Sequence, residues 1–411
     1  MSDAFTKSSQ GDIAQSQRSN SWLIKATLLL ASTLTVMSGA TISPSLPAME
    51  SHFADVGNVA FWVRLVLTMP ALLIVIGSPI AGQLVDKLGR KPLLLVSAIL
   101  YGLAGSSGLV LNSLFAILAG RAFLGLAVAG VMVSATTLIA DYYQGDARAN
   151  FMGLQAAFMG FGGVLFLSVG GFVADLNWRY PFAIYLLAWL LVPAIAFVLF
   201  EPQFDKTPSD SAQPLSKFPV KLLAFIYGAV LLQMLVFYLI PVQLPFYLKQ
   251  LSGASASKAG LAIALSTLFS AIASMSYGKL KQQFSFILIL AIAFALMGLG
   301  YVGIGLASNY WLVLLVLIPT GIGLGFIMPN LNVWASNEVP DDLRGRALGG
   351  LTTFMFLGQF LSPIVFSPVT GPLGLTATYG IAGVLLVVVG AILWMYKKQV
   401  CRFVNSSVGQ S

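Results

Sequence analysis

Arg121 stands inside the run from Leu114 to Ala140, which carries no other charged residue. An ionised side chain at such depth is costly and by default marks a functional site. A guanidinium fork matches carboxylate or phosphate geometry, so Arg121 is read as an anion-binding group facing an internal cavity. Arg64 is a second candidate; counting back from Asp86 at 1.5 Å per residue puts it about 33 Å along the same helix, near its far end. The second half of the chain offers neutral groups instead. Gln233, Tyr238, Gln243, Asn330, Asn332 and Gln359 interrupt apolar runs, and polar amides in such runs face protein or water. Proton carriers are scarce: Glu50, His52, Asp55 and Asp141 are the candidates, and His52 is the only histidine, the residue type suited to proton transfer at physiological pH. No nucleophile–base pair stands at depth, so an enzyme is not expected. One His and one Cys, Cys401, leave no His or Cys metal cluster and no disulfide within the chain. No cofactor is expected.

The elements that must position these residues are membrane helices. The 411 residues are 58% hydrophobic and 9% charged, against about 25% charged in a soluble domain, so lipid must be the solvent. A membrane barrel would alternate in segments of about 10 residues, whereas the apolar runs here are continuous. Breaks at charges, prolines and polar clusters leave twelve, at about 24–46, 60–82, 92–111, 114–140, 151–173, 180–200, 219–248, 257–277, 284–306, 310–334, 347–369 and 375–396. The expected class is an all-α membrane protein of twelve transmembrane helices in two six-helix repeats. Its parts are an N-terminal tail (1–21), a first bundle (22–200), a linker (201–218), a second bundle (219–396) and a C-terminal tail (397–411).

The repeat is visible at an offset of 196 residues, where Gly125 meets Gly321, Arg148 meets Arg344, Gly153 meets Gly349 and Gly162 meets Gly358. The first helix of each half carries paired prolines, Pro44 and Pro47 against Pro241 and Pro245. The net charge of +8 follows the excess of Lys and Arg in alternate short loops and tails, which places both termini on the cytoplasmic side. It does not indicate nucleic acid. The polar N-terminus lacks the pattern of a cleaved signal peptide.

Between the second and third runs lies G-Q-L-V-D-K-L-G-R-K, Gly82 to Lys91. Gly82, Leu84, Asp86, Lys87, Gly89, Arg90 and Lys91 resemble the cytoplasmic loop signature of the major facilitator superfamily, G-x-L-x-D-[RK]-x-G-[RK]-[RK]. Arg121 and Gly125 resemble the R-x-x-x-G of its fourth helix. Trp178, Arg179 and Phe182 resemble the W-R-x-x-F that opens its sixth, and Arg344, Gly345 and Arg346 the R-G-R before its eleventh. Within the superfamily the chain is most similar to the drug and metabolite antiporters: Gly153, Gly162, Gly170 and Gly171 fall in register with their fifth-helix glycines, while Phe166-Leu167 replaces the central Gly-Pro.

This resemblance implies alternating access, with a small-molecule site at the midplane between two rocking halves. It implies that Gly82, Asp86, Gly89 and Arg90, with Asp141, Arg148 and Arg344 at neighbouring corners, form a cytoplasmic gate. It also implies a monomer in a bacterial-type inner membrane, coupled to protons, that exports a drug or a secreted metabolite; the arginines favour a carboxylate-bearing one such as a siderophore. Uptake of the same class is the alternative, and a non-transporting sensor a remote one.

Overall fold

Charge-free runs joined by short polar turns give helices throughout. A computed structural model describes residues 21–202 and 219–399, without the side chains of Asp341 and Asp342. The first 20 residues, most of the expected linker, and the C-terminal tail with Cys401 lie outside the described residues. The spans in chain order are α1 (Trp22–His52), α2 (Val59–Leu88), α3 (Arg90–Leu109), α4 (Leu114–Tyr142), α5 (Gly145–Leu176), α6 (Tyr180–Val198), α7 (Val220–Ser252), α8 (Ala256–Gln283), α9 (Phe286–Leu306) and α10 (Tyr310–Glu338). The remaining apolar helix, Asp341–Met395, is two spans joined at Gly374, whose φ of 77° only glycine adopts freely. They are α11 (341–373) and α12 (375–395), which makes twelve among the described residues.

The paired prolines act as helix breakers, since each removes a backbone donor and crowds the preceding turn. Helix α1 stops at Ala40, passes through a 3-10 turn at Ser43–Ser45 and resumes at Leu46. Helix α7 is interrupted at Tyr238, between Val220–Phe237 and Leu239–Ser252.

The internal repeat is reproduced in packing. An added Cβ on Gly125 of α4 would collide with the Pro70 carbonyl of α2, and one on Gly321 of α10 with the Ser266 carbonyl of α8; all four residues correspond at the same offset of 196. Tyrosines of the outer helices hold the central broken helices in the same way. Tyr101 and Tyr185 donate to the Leu34 and Ser38 carbonyls of α1 at 2.7 and 2.9 Å. Tyr301 and Tyr379 donate to Val236 and Leu239 of α7 at 2.7 and 2.9 Å. The halves meet along α5 against α8 and α2 against α11, with α1 and α7 between them.

Candidate functional site

Arg121 reaches its neighbours because Gly125, one turn further on, lets α4 lie directly against α2. Its side chain has no exposed surface. Nε donates to the Val66 carbonyl at 3.0 Å, Nη1 to the Tyr185 hydroxyl at 2.9 Å, and Nη2 to the Ser38 carbonyl. Ser38 lies in the last turn of the first segment of α1, where carbonyls lose their helical donors. A cation there complements both the orphan carbonyl and the helix dipole. The expectation that Arg121 faces the cavity is therefore corrected: its donors are spent on two backbone carbonyls and the Tyr185 hydroxyl.

The cavity itself, about 260 Å³, lies between the halves. The first half contributes Thr35 and Ser38 of α1, Leu67 and Ile74 of α2 and Met159 of α5. The second contributes Met234, Phe237 and Tyr238 of α7, Thr267 of α8, and Met355, Phe356 and Gln359 of α11. None of the lining residues is charged. Tyr238 sits at the break in α7 and points across to Gly39, where an added Cβ would lie 3.6 Å from its hydroxyl. Of the residues expected in the cavity, the structure brings Tyr238 and Gln359 together there. Sequence reasoning missed the three methionines; a flexible thioether in a span reads as ordinary apolar filling, although it suits an adaptable binding wall.

The other expected cavity residues are placed elsewhere. Gln243 donates to Thr370 at 3.4 Å, and Thr370 bonds Thr378 at 3.1 Å, tying α7 to the α11–α12 junction. Asn330 donates to the Phe286 carbonyl at 2.9 Å and accepts from Tyr277 at 3.3 Å, linking α8, α9 and α10. Asn332 bonds the Met328 carbonyl of its own helix at 3.0 Å. Gln233 is fully buried off the cavity wall, with neither amide atom hydrogen-bonded.

At the end of the molecule carrying Gly82–Lys91, the expected gate is only partly assembled. Arg90 Nε lies 3.1 Å from Asp141. Gly89, at φ 98°, ends α2 and starts α3. Asp86 and Arg148 are exposed, Asp86 without an ion pair among the described residues, and Arg344 is half-buried at the start of α11. The principal addition is Glu201, expected to belong to the linker. Its two carboxylate oxygens accept the Arg90 and Lys91 amides, both at 2.7 Å, capping α3 where an anion is favoured. Tyr142 holds the adjoining strand of chain, stacked on Phe200 at 4.4 Å and bonded to its backbone.

At the opposite end the halves are in contact. Asp175 of α5 accepts the Ala256 and Ser257 amides at the start of α8, at 2.7 and 3.2 Å. The Ser43 hydroxyl donates to the Pro241 carbonyl, and Gly171 and Gly260 leave no room for a Cβ between α5 and α8. Arg64 belongs here, its guanidinium 5.1 Å from the Phe246 ring centre of α7. Glu50 lines a crevice with Phe246 and Lys249, and its Oε2 is buried without a hydrogen-bond partner. His52 is exposed and packs on Phe53 and Trp178 at 4.8 and 5.0 Å; Asp55 is exposed. At the Gly82–Lys91 end, by contrast, Gly153, Gly278, Gly345 and Gly349 all face open space.

Two six-helix halves around a central cavity, sealed at one end of the seam, define a membrane transporter of the alternating-access type. The chain belongs to the Major Facilitator Superfamily, whose description it matches over residues 28–251 and again over 226–402. It is 25% identical over 354 residues to the quinolone resistance protein NorA of Staphylococcus aureus (strain MRSA252), covering 84% of this chain and 91% of that protein. It is 28% identical over 397 residues to the class C tetracycline resistance protein of Escherichia coli, covering 92% and 96%. Among solved structures, a D-xylose–proton symporter superposes with a TM-score of 0.77 at 18% identity, covering 91% of this chain and 97% of that one. The inward open xylose transporter XylE of E. coli gives 0.73 at 16% identity, covering 90% and 95%. These two show the fold alone.

Proposed function

We propose that this chain exports lipophilic, drug-sized molecules from the cytoplasm, driven by protons moving the other way. The observation that carries this is the central cavity, walled by methionine, aromatic and hydroxyl side chains and free of charge. Such a wall favours apolar bodies and leaves a carboxylate without a cation, so the preference for acidic metabolites loses its residue once Arg121 is bound to backbone. Similarity to the quinolone and tetracycline resistance proteins supports the same direction and substrate type. The positive-inside bias supports a cytoplasmic Gly82–Lys91 end and cytoplasmic termini, so the cavity is closed towards the outside.

Among the candidate proton carriers, Glu50 is best placed. It is half-buried at the seam, beside Lys249 of the other half and in the field of Arg64, where separating the halves would change its surroundings. Asp141 is paired with Arg90, and His52 and Asp55 are exposed.

The test is accumulation of a fluorescent quinolone and of tetracycline in cells lacking other exporters. Expression of the chain should lower accumulation severalfold, a protonophore should restore it, and Glu50→Gln should abolish proton-driven export while leaving binding to purified protein intact. Accumulation unchanged by expression for both drugs would sink the proposal.

A further inference from the structure

A second cavity, about 350 Å³, lies on the Gly82–Lys91 side of the central one. It is walled by α2 and α4 of the first half and α11 of the second, and it shares one wall residue, Phe356, with the central cavity. Its volume is in the range that holds a small ligand. Its wall carries a dense set of hydroxyls whose protons are already committed, as those of Ser38 and Thr267 are in the central cavity. Ser78 donates to the Ile74 carbonyl at 2.7 Å and Thr137 to Val133 at 2.8 Å. Thr352 and Thr353 donate to Leu348 and Gly349, both at 3.0 Å. A hydroxyl bonded back to its own helix keeps its lone pairs and offers no donor. Two such acceptors come from each half of the molecule.

We infer that this groove is a second ligand site, distinct from the central cavity, for a small amphiphile whose N–H-bearing head is held by the hydroxyl oxygens of both halves. The apolar body of the ligand lies against Val75, Met132 and Phe356. A head with N–H donors can bond several of these oxygens at once, whereas a carboxylate would meet mainly lone pairs, Thr136 being the lining hydroxyl left to donate. The groove lies across the seam, between α2 and α11, and rocking that closes this end must narrow it. An occupant therefore favours the conformation seen here, because a ligand shifts the equilibrium towards the state it fits. Occupancy holds the transporter open on this side and slows turnover. The site does not depend on which molecule the chain exports.

Gly349 makes the inference testable. It lines the groove, its added Cβ would meet nothing within 4 Å, and its backbone is helical. Gly349→Leu fills the groove from within and improves helix propensity. The experiment measures the melting temperature of the full-length purified protein against three probes: 4-phenylbutylamine, its N,N,N-trimethyl derivative and 5-phenylpentanoate. The trimethyl compound keeps the positive charge and loses every N–H donor. The amine should stabilise the wild type saturably, with apparent affinity at least tenfold above both analogues. Gly349→Leu, and the shape-preserving double variant Thr137→Val/Thr352→Val, should each weaken amine binding at least tenfold. Thr35→Val in the central cavity should leave it unchanged. Gly349→Leu should melt no lower than wild type while turning over at least fivefold more slowly. Equal amine affinity in wild type and Gly349→Leu would overturn the site. Equal affinity for the amine and its trimethyl derivative would overturn the donor chemistry. Full turnover in Gly349→Leu would overturn the conformational effect.

Discussion

The two halves solve the same packing problem with different chemistry. In each, tyrosines of the outer helices bond carbonyls beside the break in a central helix: Tyr101 and Tyr185 on α1, Tyr301 and Tyr379 on α7. The first half adds ionised groups at helix ends, with Arg121 on the Ser38 carbonyl, Glu201 on the first amides of α3, and the Arg90–Asp141 pair. The second half uses neutral ones. Leu317 stands where the offset puts Arg121 and is fully buried; Ser285 caps α9 by accepting the Leu288 amide at 3.4 Å, and Asn330 stitches three helices. Duplicated backbones thus tolerate either solution, provided each orphan carbonyl and amide finds a partner. The charges of the first half serve architecture before they serve any ligand.

Exchanging the two solutions should produce the largest effect. Leu317→Arg places a guanidinium at a fully buried position that an apolar side chain fills. An uncompensated buried charge costs on the order of 5 kcal/mol, so the variant should fail to accumulate as folded protein, read by size-exclusion after detergent extraction. Recovery of wild-type amounts would show that the second half holds spare acceptors. Arg121→Ala comes next. It strips donors from the Val66 and Ser38 carbonyls and from Tyr185, and should cost about 3–5 kcal/mol, read as a large drop in melting temperature. Arg121→Lys keeps the charge but cannot serve three acceptors in fixed directions, and should recover less than half of that loss.

Much of this architecture was legible in the chain. Twelve runs and the offset of 196 reappear in the helices, and the paired prolines of each half lie where α1 and α7 prove to be broken, because these features rest on backbone solvation in lipid and on proline geometry. The site was legible only in part. Tyr238 and Gln359 do line the cavity, but so do Met159, Met234 and Met355, whose type carries no polar signal. Arg121 was the conspicuous residue, yet sequence cannot tell a guanidinium that awaits an anion from one that caps a helix. The acceptors that settle it are carbonyls of Val66 and Ser38, which every residue possesses. Glu201 escaped for a related reason: it begins a polar stretch, and its partners are backbone amides 110 and 111 positions away.

The middle and lower end of the scale test whether the ionic solution is strong or merely present. Glu201→Gln keeps the shape of the cap and removes its charge. A carboxylate at a helix N-terminus is worth about 0.3–1 kcal/mol when exposed and about 2 when partly buried, so a stability loss near 1 kcal/mol, read as a lower melting temperature, is expected at low salt.

The Arg90–Asp141 pair should be weaker still. Its side chains keep 20% and 14% of their surface exposed, and ion pairs with solvent access typically contribute about 0.2–1 kcal/mol. A double-mutant cycle of Arg90→Gln and Asp141→Asn should therefore return a coupling below about 1 kcal/mol at 0.1 M salt, fading at 1 M as the screening length shrinks to about 3 Å. Asn330→Ala in the neutral half provides the control: it removes a donor from the Phe286 carbonyl and the acceptor of the buried Tyr277 hydroxyl and should cost about 1–3 kcal/mol at either salt concentration. A coupling above about 3 kcal/mol, insensitive to salt, would reverse the ranking. The pair would then behave as a buried lock on the Gly82–Lys91 end, and the ionic half would be the more rigid of the two.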